Sequence, residues 1–396
     1  MKDLADRFRK LAEQLQDELV ATRRHLHAHP ELSYEEHETA RYVGERLTAL
    51  GLRPRTIAKT GVVATVEGRR PGRTVALRAD MDALPIREVE DRPYRSQRPG
   101  VMHACGHDVH TTSLLGAAQI LQANREHFAG TVRLIFQPGE EKAPGGATLV
   151  IAEGGLQNPT PQAMVGQHVM PLIEAGKVGF RPGMYMASAD ELYIHVRGRG
   201  GHGAMPEQNI DPILIASHMI VALQQVVSRY ANPKIPSVLS FGHVIAEGAT
   251  NVIPDEVYIE GTFRTMEERW REDALRRMKR LAEGLVESMG GTCEFNIVRG
   301  YPFLRNDPDL TGRLRTAAED YLGPENVEDL DMWMAAEDFA YYTHHVPACF
   351  YRLGTRNEAR GITASVHTPQ FDIDEAALPV GAGLMAWLAL RSLRAE

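Results

Sequence analysis

The sequence predicts an α/β protein: a larger domain with helices packed on a largely parallel sheet, carrying an inserted ferredoxin-like α+β domain. Two observations predict it. Short apolar runs alternate with amphipathic helices in the first half of the chain and again near its end. Between these stretches, residues 184–300 follow the order strand, helix, strand, strand, helix, strand, the split arrangement of a ferredoxin-like sandwich. The expected division is 1–183 together with 301–396, interrupted by 184–300. A chain of 396 residues is long enough for two such domains.

Each element follows from local pattern. An amphipathic helix should run to about residue 29, where Pro30 stops it. A second should span 34–50, with Gly51 closing its carboxyl end. Residues 61–67 and 74–79 read as strands, 111–124 as a helix, and 131–136 and 163–167 as further strands. In the insert, strands are expected at 192–197, 237–245, 256–264 and 292–299, with helices at 211–228 and 267–288. After Pro302 the first pattern resumes, with helices at 310–321 and 337–344, a strand at 348–353 and a last helix at 375–393.

Composition narrows the function classes. The chain is 43% hydrophobic and 24% charged, ordinary for a globular protein. A formal net charge of −8 and a pI near 6.1 argue against nucleic acid as the main partner. Residues 1–23 are charged and lack the apolar core of a signal peptide. No apolar run approaches the ~18 residues of a membrane span, so no membrane partner is expected. Three scattered cysteines cannot build a disulfide framework, and a reducing cytoplasm is the expected location. Cys293 and Cys349 lie in strand-like runs and read as buried small hydrophobes.

The chemistry begins with Glu140 and Glu141. They follow the apolar run 131–136 through Gln137-Pro138-Gly139, at the carboxyl end of a buried strand, where open α/β sheets bind ligands. Adjacent like charges need a cation or a shared proton to stay together. Upstream, Cys105-Gly106-His107-Asp108 precedes a helix, and two residues spaced i, i+2 can face one metal. The helix amino terminus would lower the thiol pKa toward thiolate. Asp108 could instead cap that helix, and His103 and His110 are further candidates. His168 follows another strand, and His367 lies on a loop before the last helix. Asp80 and Asp82 close the strand 74–79, where carboxylates often orient ligand histidines. Nitrogen, sulfur and oxygen donors at Cys105, His107, Glu141, His168 and His367 suit zinc, manganese, cobalt or nickel. More donors than one tetrahedral site needs point to two divalent ions sharing a bridging ligand.

Several motifs occur together in order: His25-Leu26-His27-Ala28-His29-Pro30-Glu31-Leu32, Asp80-Met81-Asp82-Ala83-Leu84-Pro85, the Cys-Gly-His-Asp segment, Pro138-Gly139-Glu140-Glu141 and His367-Thr368-Pro369. Over nearly the whole chain they resemble the metal-dependent, metallopeptidase-like amidohydrolases related to aminoacylase. The branch they resemble is that of hippurate hydrolase, bacterial N-acyl-amino-acid deacetylases and plant auxin–amino-acid conjugate hydrolases. The resemblance implies hydrolysis of N-acyl amino acids by two metal ions per subunit. It implies ligands Cys105, His107, Glu141, His168 and His367, the cysteine holding a bridging place that other branches give to aspartate. It also implies Glu140 as general base and Asp82 as the carboxylate behind a ligand. In the insert, a lid or dimerisation domain in such enzymes, it implies His202 as a residue reaching an active site. Asn251 and Arg264 match positions near the substrate carboxylate, although Arg264 also reads as a surface ion pair. A homodimer or homotetramer is expected. Where many relatives carry histidine after Met-Pro, this chain has Met205-Pro206-Glu207, a departure that bears on the local substrate contacts. Two rival functions are a carboxypeptidase or dipeptidase on the same metal core and a non-catalytic metal-dependent scaffold.

Overall fold

Apolar runs from both ends of the chain meet in one eight-stranded sheet. The structure, a computed structural model, describes residues 2–394. The sheet order is Arg55–Ile57, Gly61–Glu67, Ala129–Gln137, Arg70–Asp80, Ala163–Glu174, Ala348–Arg356, Val178–Phe180 and Val327–Asp329. The four strands from Ala129–Gln137 to Ala348–Arg356 are mutually parallel, and antiparallel pairings occur on both flanks. Such central strands are covered on both faces, which is why Leu77, Leu134 and Val165 on one face and Ala76, Ile135 and Met164 on the other are all fully buried. Helices His107–Ala123 and Ala377–Leu393 pack on each other and on this sheet.

Several expected boundaries move. The amino-terminal helix is two, Lys2–Gln14 and Gln16–Ala28. The helix expected from residue 111 starts at His107, so His107 and Asp108 form its first turn. Asp108 does not cap it: the cap position is Gly106, and the Asp108 carboxylate instead accepts from Arg23 and His27. The helix expected at 337–344 shrinks to Ala340–Thr343. Strands Arg55–Ile57, Val178–Phe180 and Val327–Asp329 and helix Gly146–Ala152 carry too few residues for periodicity to reveal them.

The chain divides into two compact units: residues 1–183, 305–331 and 338–396, and residues 184–304 with 332–337. In the second, strands Ser237–Ile245, Glu256–Thr265, Asp190–Arg197 and Thr292–Arg299 form an antiparallel sheet in that order. Helices Pro212–Gln225 and Glu268–Ser288 cover one face and start where expected, capped by the Asp211 and Glu267 carboxylates. Leu192, Ile194, Val196, Ile259 and Phe263 meet Ile215, Met219, Ala274 and Met278 in a core of its own. One expectation fails here. The span Pro212–Tyr230 is long and apolar enough by composition to cross a membrane. Its apolar residues are shared between two faces: Ile215, Met219 and Leu223 pack on the sheet, while Leu214 and Val221 are exposed.

Candidate metal centre

The carboxyl ends of the parallel strands of the larger unit gather the predicted ligands. Arg70–Asp80 and Ala129–Gln137 end in register at Asp80 and Gln137, which sets the 138–141 turn beside Asp82. The strand carrying His168 continues to Glu174, but its pairing with Arg70–Asp80 stops at Gly166. His168 therefore lies beyond the last pair, level by register with Asp80 at the end of the neighbouring strand, although it lies within its own strand.

Two turns depend on glycine. Gly106 is left-handed at φ +84, and a Cβ there would lie 2.6 Å from Val169 Cγ2. That tight turn separates Cys105 from the helical His107. Gly139 is left-handed at φ +60 and packs against the Tyr34 ring, so the turn before Glu140 leaves no room for a side chain. His367 has φ 61, a backbone form that costs a non-glycine residue about 1–3 kcal/mol. Its N–H is fixed on the Ala104 carbonyl at 2.8 Å, beside Cys105.

The sulfur of Cys105 lies 3.4 Å from His168 Nε2 and 3.3 Å from His367 Nε2. Donor atoms of Cys105, His107 and His168 fall within 4.8 Å of one another, and so do those of Cys105, Glu141 and His367. One thiol thus belongs to two three-donor sets. His168 Nδ1 donates to the Val169 carbonyl at 2.8 Å, which leaves its Nε2 lone pair toward the sulfur. His107 Nδ1 faces Asp82 Oδ1 at 3.2 Å, and its Nε2 is buried without a hydrogen-bond partner, as is Glu141 Oε1. These two orphaned atoms lie 3.9 Å apart, and Glu141 Oε1 is 3.3 Å from His367 Nε2. Buried polar atoms left this way are expensive unless a ligand completes them. The donor set fits one or two divalent ions of the borderline class.

The other groups hold these. Asp82 Oδ2 accepts from the Ser33 hydroxyl and from the Glu141 N–H at 2.9 Å, so one carboxylate orients both His107 and the Glu141 backbone. Burial raises the Asp82 pKa, but the bonds from His107, Ser33 and Glu141 outweigh it and lower it overall. His110 has both ring nitrogens engaged: its Nε2 accepts the Val169 N–H and its Nδ1 donates to Asp80, although its donor atoms also lie within 4.8 Å of those of Asp80 and His107. His103 is buried with neither ring nitrogen hydrogen-bonded, and burial pushes its pKa down to about 4.

The potential is strongly negative. Burial lowers the His107 pKa, but Asp80, Asp82 and Glu141 outweigh it and push it up to about 10. The helix terminus does not lower the Cys105 thiol as expected. Burial pushes it well up, and Glu141, Glu140 and Asp80 push it further. A thiolate at that position requires a compensating cation.

Sequence reading missed the supports. Arg23 is fully buried, bonded to Asp108 at 2.8 Å and to Asp372 at 2.9 Å, while His27 Nδ1 meets Asp108 at 2.7 Å. This network ties the His25–Leu32 motif to the first turn of the His107 helix. Arg78, Gln137, Glu36 and Asp338 were also missed. Glu36 accepts the Gly139 N–H at 2.7 Å. A charged Arg78 inside an apolar strand was the one available signal.

The remaining predicted residues lie in the smaller unit. Gly201–His202 pairs with Val252–Ile253, which places His202 and Asn251 side by side, with Gly203 N–H on the Asn251 carbonyl. His202 Nδ1 accepts the Ala204 N–H, so its proton sits on Nε2. Arg264 is half-buried and donates to the Met334 carbonyl at 3.0 Å.

The family model described as peptidase family M20/M25/M40 matches residues 76–391. The chain belongs to peptidase family M20/M25/M40. It is an enzyme of the amidohydrolase class. The N-acetyl-L-cysteine deacetylase of Bacillus subtilis is 42% identical, over 92% of this chain and 85% of the relative. The thermostable carboxypeptidase 2 of Saccharolobus solfataricus is 36% identical, over 98% of this chain and 99% of its own. Among solved structures, the Bacillus subtilis YXEP protein, described as a dinuclear metal-binding M20 peptidase, superposes with TM-score 0.81 at 36% identity. That match covers 96% of this chain and 99% of the other.

Proposed function

We propose that this enzyme hydrolyses the amide bond of N-acyl-L-amino acids, using two divalent ions held by Cys105, His107, Glu141, His168 and His367. The observation that carries the reading is the Cys105 sulfur, 3.4 Å from one histidine nitrogen and 3.3 Å from another in a second donor set. Bound ions of this kind polarise a scissile carbonyl and bring a water's pKa toward about 7. Glu140 takes the proton from the attacking water and delivers it to the leaving amine. Asp82 keeps the His107 ring and the Glu141 backbone in place while this happens. His202, with its proton on Nε2, is assigned to the developing oxyanion. Arg264 and Asn251 are assigned to the substrate's free carboxylate.

The rival is a carboxypeptidase or dipeptidase, and a carboxypeptidase among the similar proteins keeps it open. Metal-depleted enzyme is reconstituted separately with zinc, manganese, cobalt and nickel, then given N-acetyl-amino acids, hippurate and dipeptides. The N-acyl amino acids are expected to lead in kcat/KM by at least about tenfold, a difference of about 1.4 kcal/mol. Dipeptides turning over faster than every N-acyl substrate would replace this reading with the rival.

The same reading includes a homodimer or homotetramer. In its support, Ser237–Ile245 is an edge strand with Val244 and Ile245 exposed, and Val221 on the neighbouring helix is 73% exposed. Unpaired apolar edges of this kind favour strand-to-strand association. Light scattering at micromolar concentration should give at least twice the 43.9 kDa chain mass. A monomer there would refute it.

A further inference from the structure

We propose that Asp338 is a positioning residue for Glu140, holding the general base through its own backbone N–H. The inference rests on the reading of Glu140 as base. Asp338 is fully buried, and its carboxylate is shared among three elements of the larger unit. Arg78 Nη2 donates to it at 2.7 Å from the strand Arg70–Asp80. Gln137 Nε2 donates to it at 2.7 Å from the end of Ala129–Gln137, three residues before the base. The Ala147 N–H donates to it at 2.9 Å from the helix Gly146–Ala152, which follows the base. The side chain is thus anchored on both sides of the turn that carries Glu140. From this anchor the Asp338 N–H points to Glu140 Oε1 at 3.4 Å.

The anchor has its own backing. Arg78 also pairs with Asp80 at 2.6 Å and gives its Nε to Gln137 Oε1 at 3.0 Å. The Tyr342 hydroxyl donates to the same Gln137 oxygen at 3.0 Å. Asp338, Gln137 and Arg78 therefore form one closed hydrogen-bonded set in which no member can turn without breaking a buried bond.

Fixing the Asp338 side chain to two strands and a helix holds its peptide, and the carboxylate that peptide contacts, in one place.

The test is a double-mutant cycle on the metal-loaded enzyme with an N-acetyl-amino acid, with metal content and thermal melting recorded for every variant. Asp338→Asn keeps the volume and one acceptor oxygen but loses the charge facing Arg78. It is expected to lower kcat by about 10- to 100-fold, with KM changed less than about threefold and the bound metal retained. In the Glu140→Gln background the same change should alter the residual rate by less than about twofold, because the group through which it acts is gone. Gln137→Met, which keeps both buried charges, should show a smaller kcat loss that also vanishes in that background. Equal rate losses in both backgrounds, or a kcat loss that tracks lost metal, would overturn the proposal. Wild-type activity of Glu140→Gln alone would instead remove the base reading, a separate outcome. If Asp338→Asn does not fold, the Gln137→Met cycle decides.

Discussion

Glu140→Gln is expected to lower kcat by about 10²–10⁴-fold while the metal content stays that of the wild type. The expectation follows from the division of labour in the 138–141 turn. Glu141 Oε1 lies 3.3 Å from His367 Nε2 and belongs to a donor set with Cys105. Glu140 belongs to no set with that sulfur, and its Oε1 receives the Asp338 N–H instead. Replacing a carboxylate by an amide of the same shape removes the proton acceptor without opening a cavity or changing the turn. The loss should fall on kcat, with little change in KM, because proton transfer occurs only on the way to the transition state. Steady-state kinetics and elemental analysis on one preparation check both halves. Wild-type turnover would show that another group takes the proton. Loss of metal would show that Glu140 is itself a ligand.

What could be read from the sequence divides along a physical line. The candidate donors could be singled out because Glu140, Glu141 and His168 follow apolar runs, where the chain pattern marks a sheet edge, while Cys105 and His107 stand before a helix and His367 on a loop. The ferredoxin-like insert was legible because its strands alternate and its helices begin at Asp211 and Glu267, residues that accept hydrogen bonds from the first turn. The supports were not. Arg78 and Asp338 are 260 positions apart, and Arg23 and Asp372 are 349 apart. No local period connects such residues, since the strand order that brings them together is set by packing over the whole domain. The Cys105 thiol shows the limit in another form. A helix amino terminus lies beside it, as the sequence indicates, but burial first, and then the full charges of Glu141, Glu140 and Asp80, raise the thiol against a partial dipole charge.

Cys105→Ala should empty both metal positions, whereas His168→Ala should empty one. The asymmetry is the test of bridging. Cys105 belongs to the sets Cys105–His107–His168 and Cys105–Glu141–His367, so its removal leaves two donors in each. His168 belongs to the first set alone, and its loss spares the second. Elemental analysis after gel filtration should therefore read close to no ion for Cys105→Ala and about one for His168→Ala, with hydrolysis lost in both. The fold should answer as well. An ion present at a hundred times its Kd stabilises the folded chain by about 2.7 kcal/mol, so Cys105→Ala should melt near the temperature of chelator-treated wild type. A second signature follows from charge. Asp80, Asp82 and Glu141 together push the His107 pKa up to about 10 against its burial, and burial with Glu141, Glu140 and Asp80 raises the Cys105 thiol. Both groups must lose their protons to bind metal, so metal loading at neutral pH should release protons and affinity should fall as pH is lowered. Calorimetric titration in buffers of different ionisation heat measures that release directly. Cys105→Asp, which puts two oxygens where one sulfur stood, should restore metal content above that of Cys105→Ala. Two tightly held ions in Cys105→Ala would show that the sulfur bridges nothing.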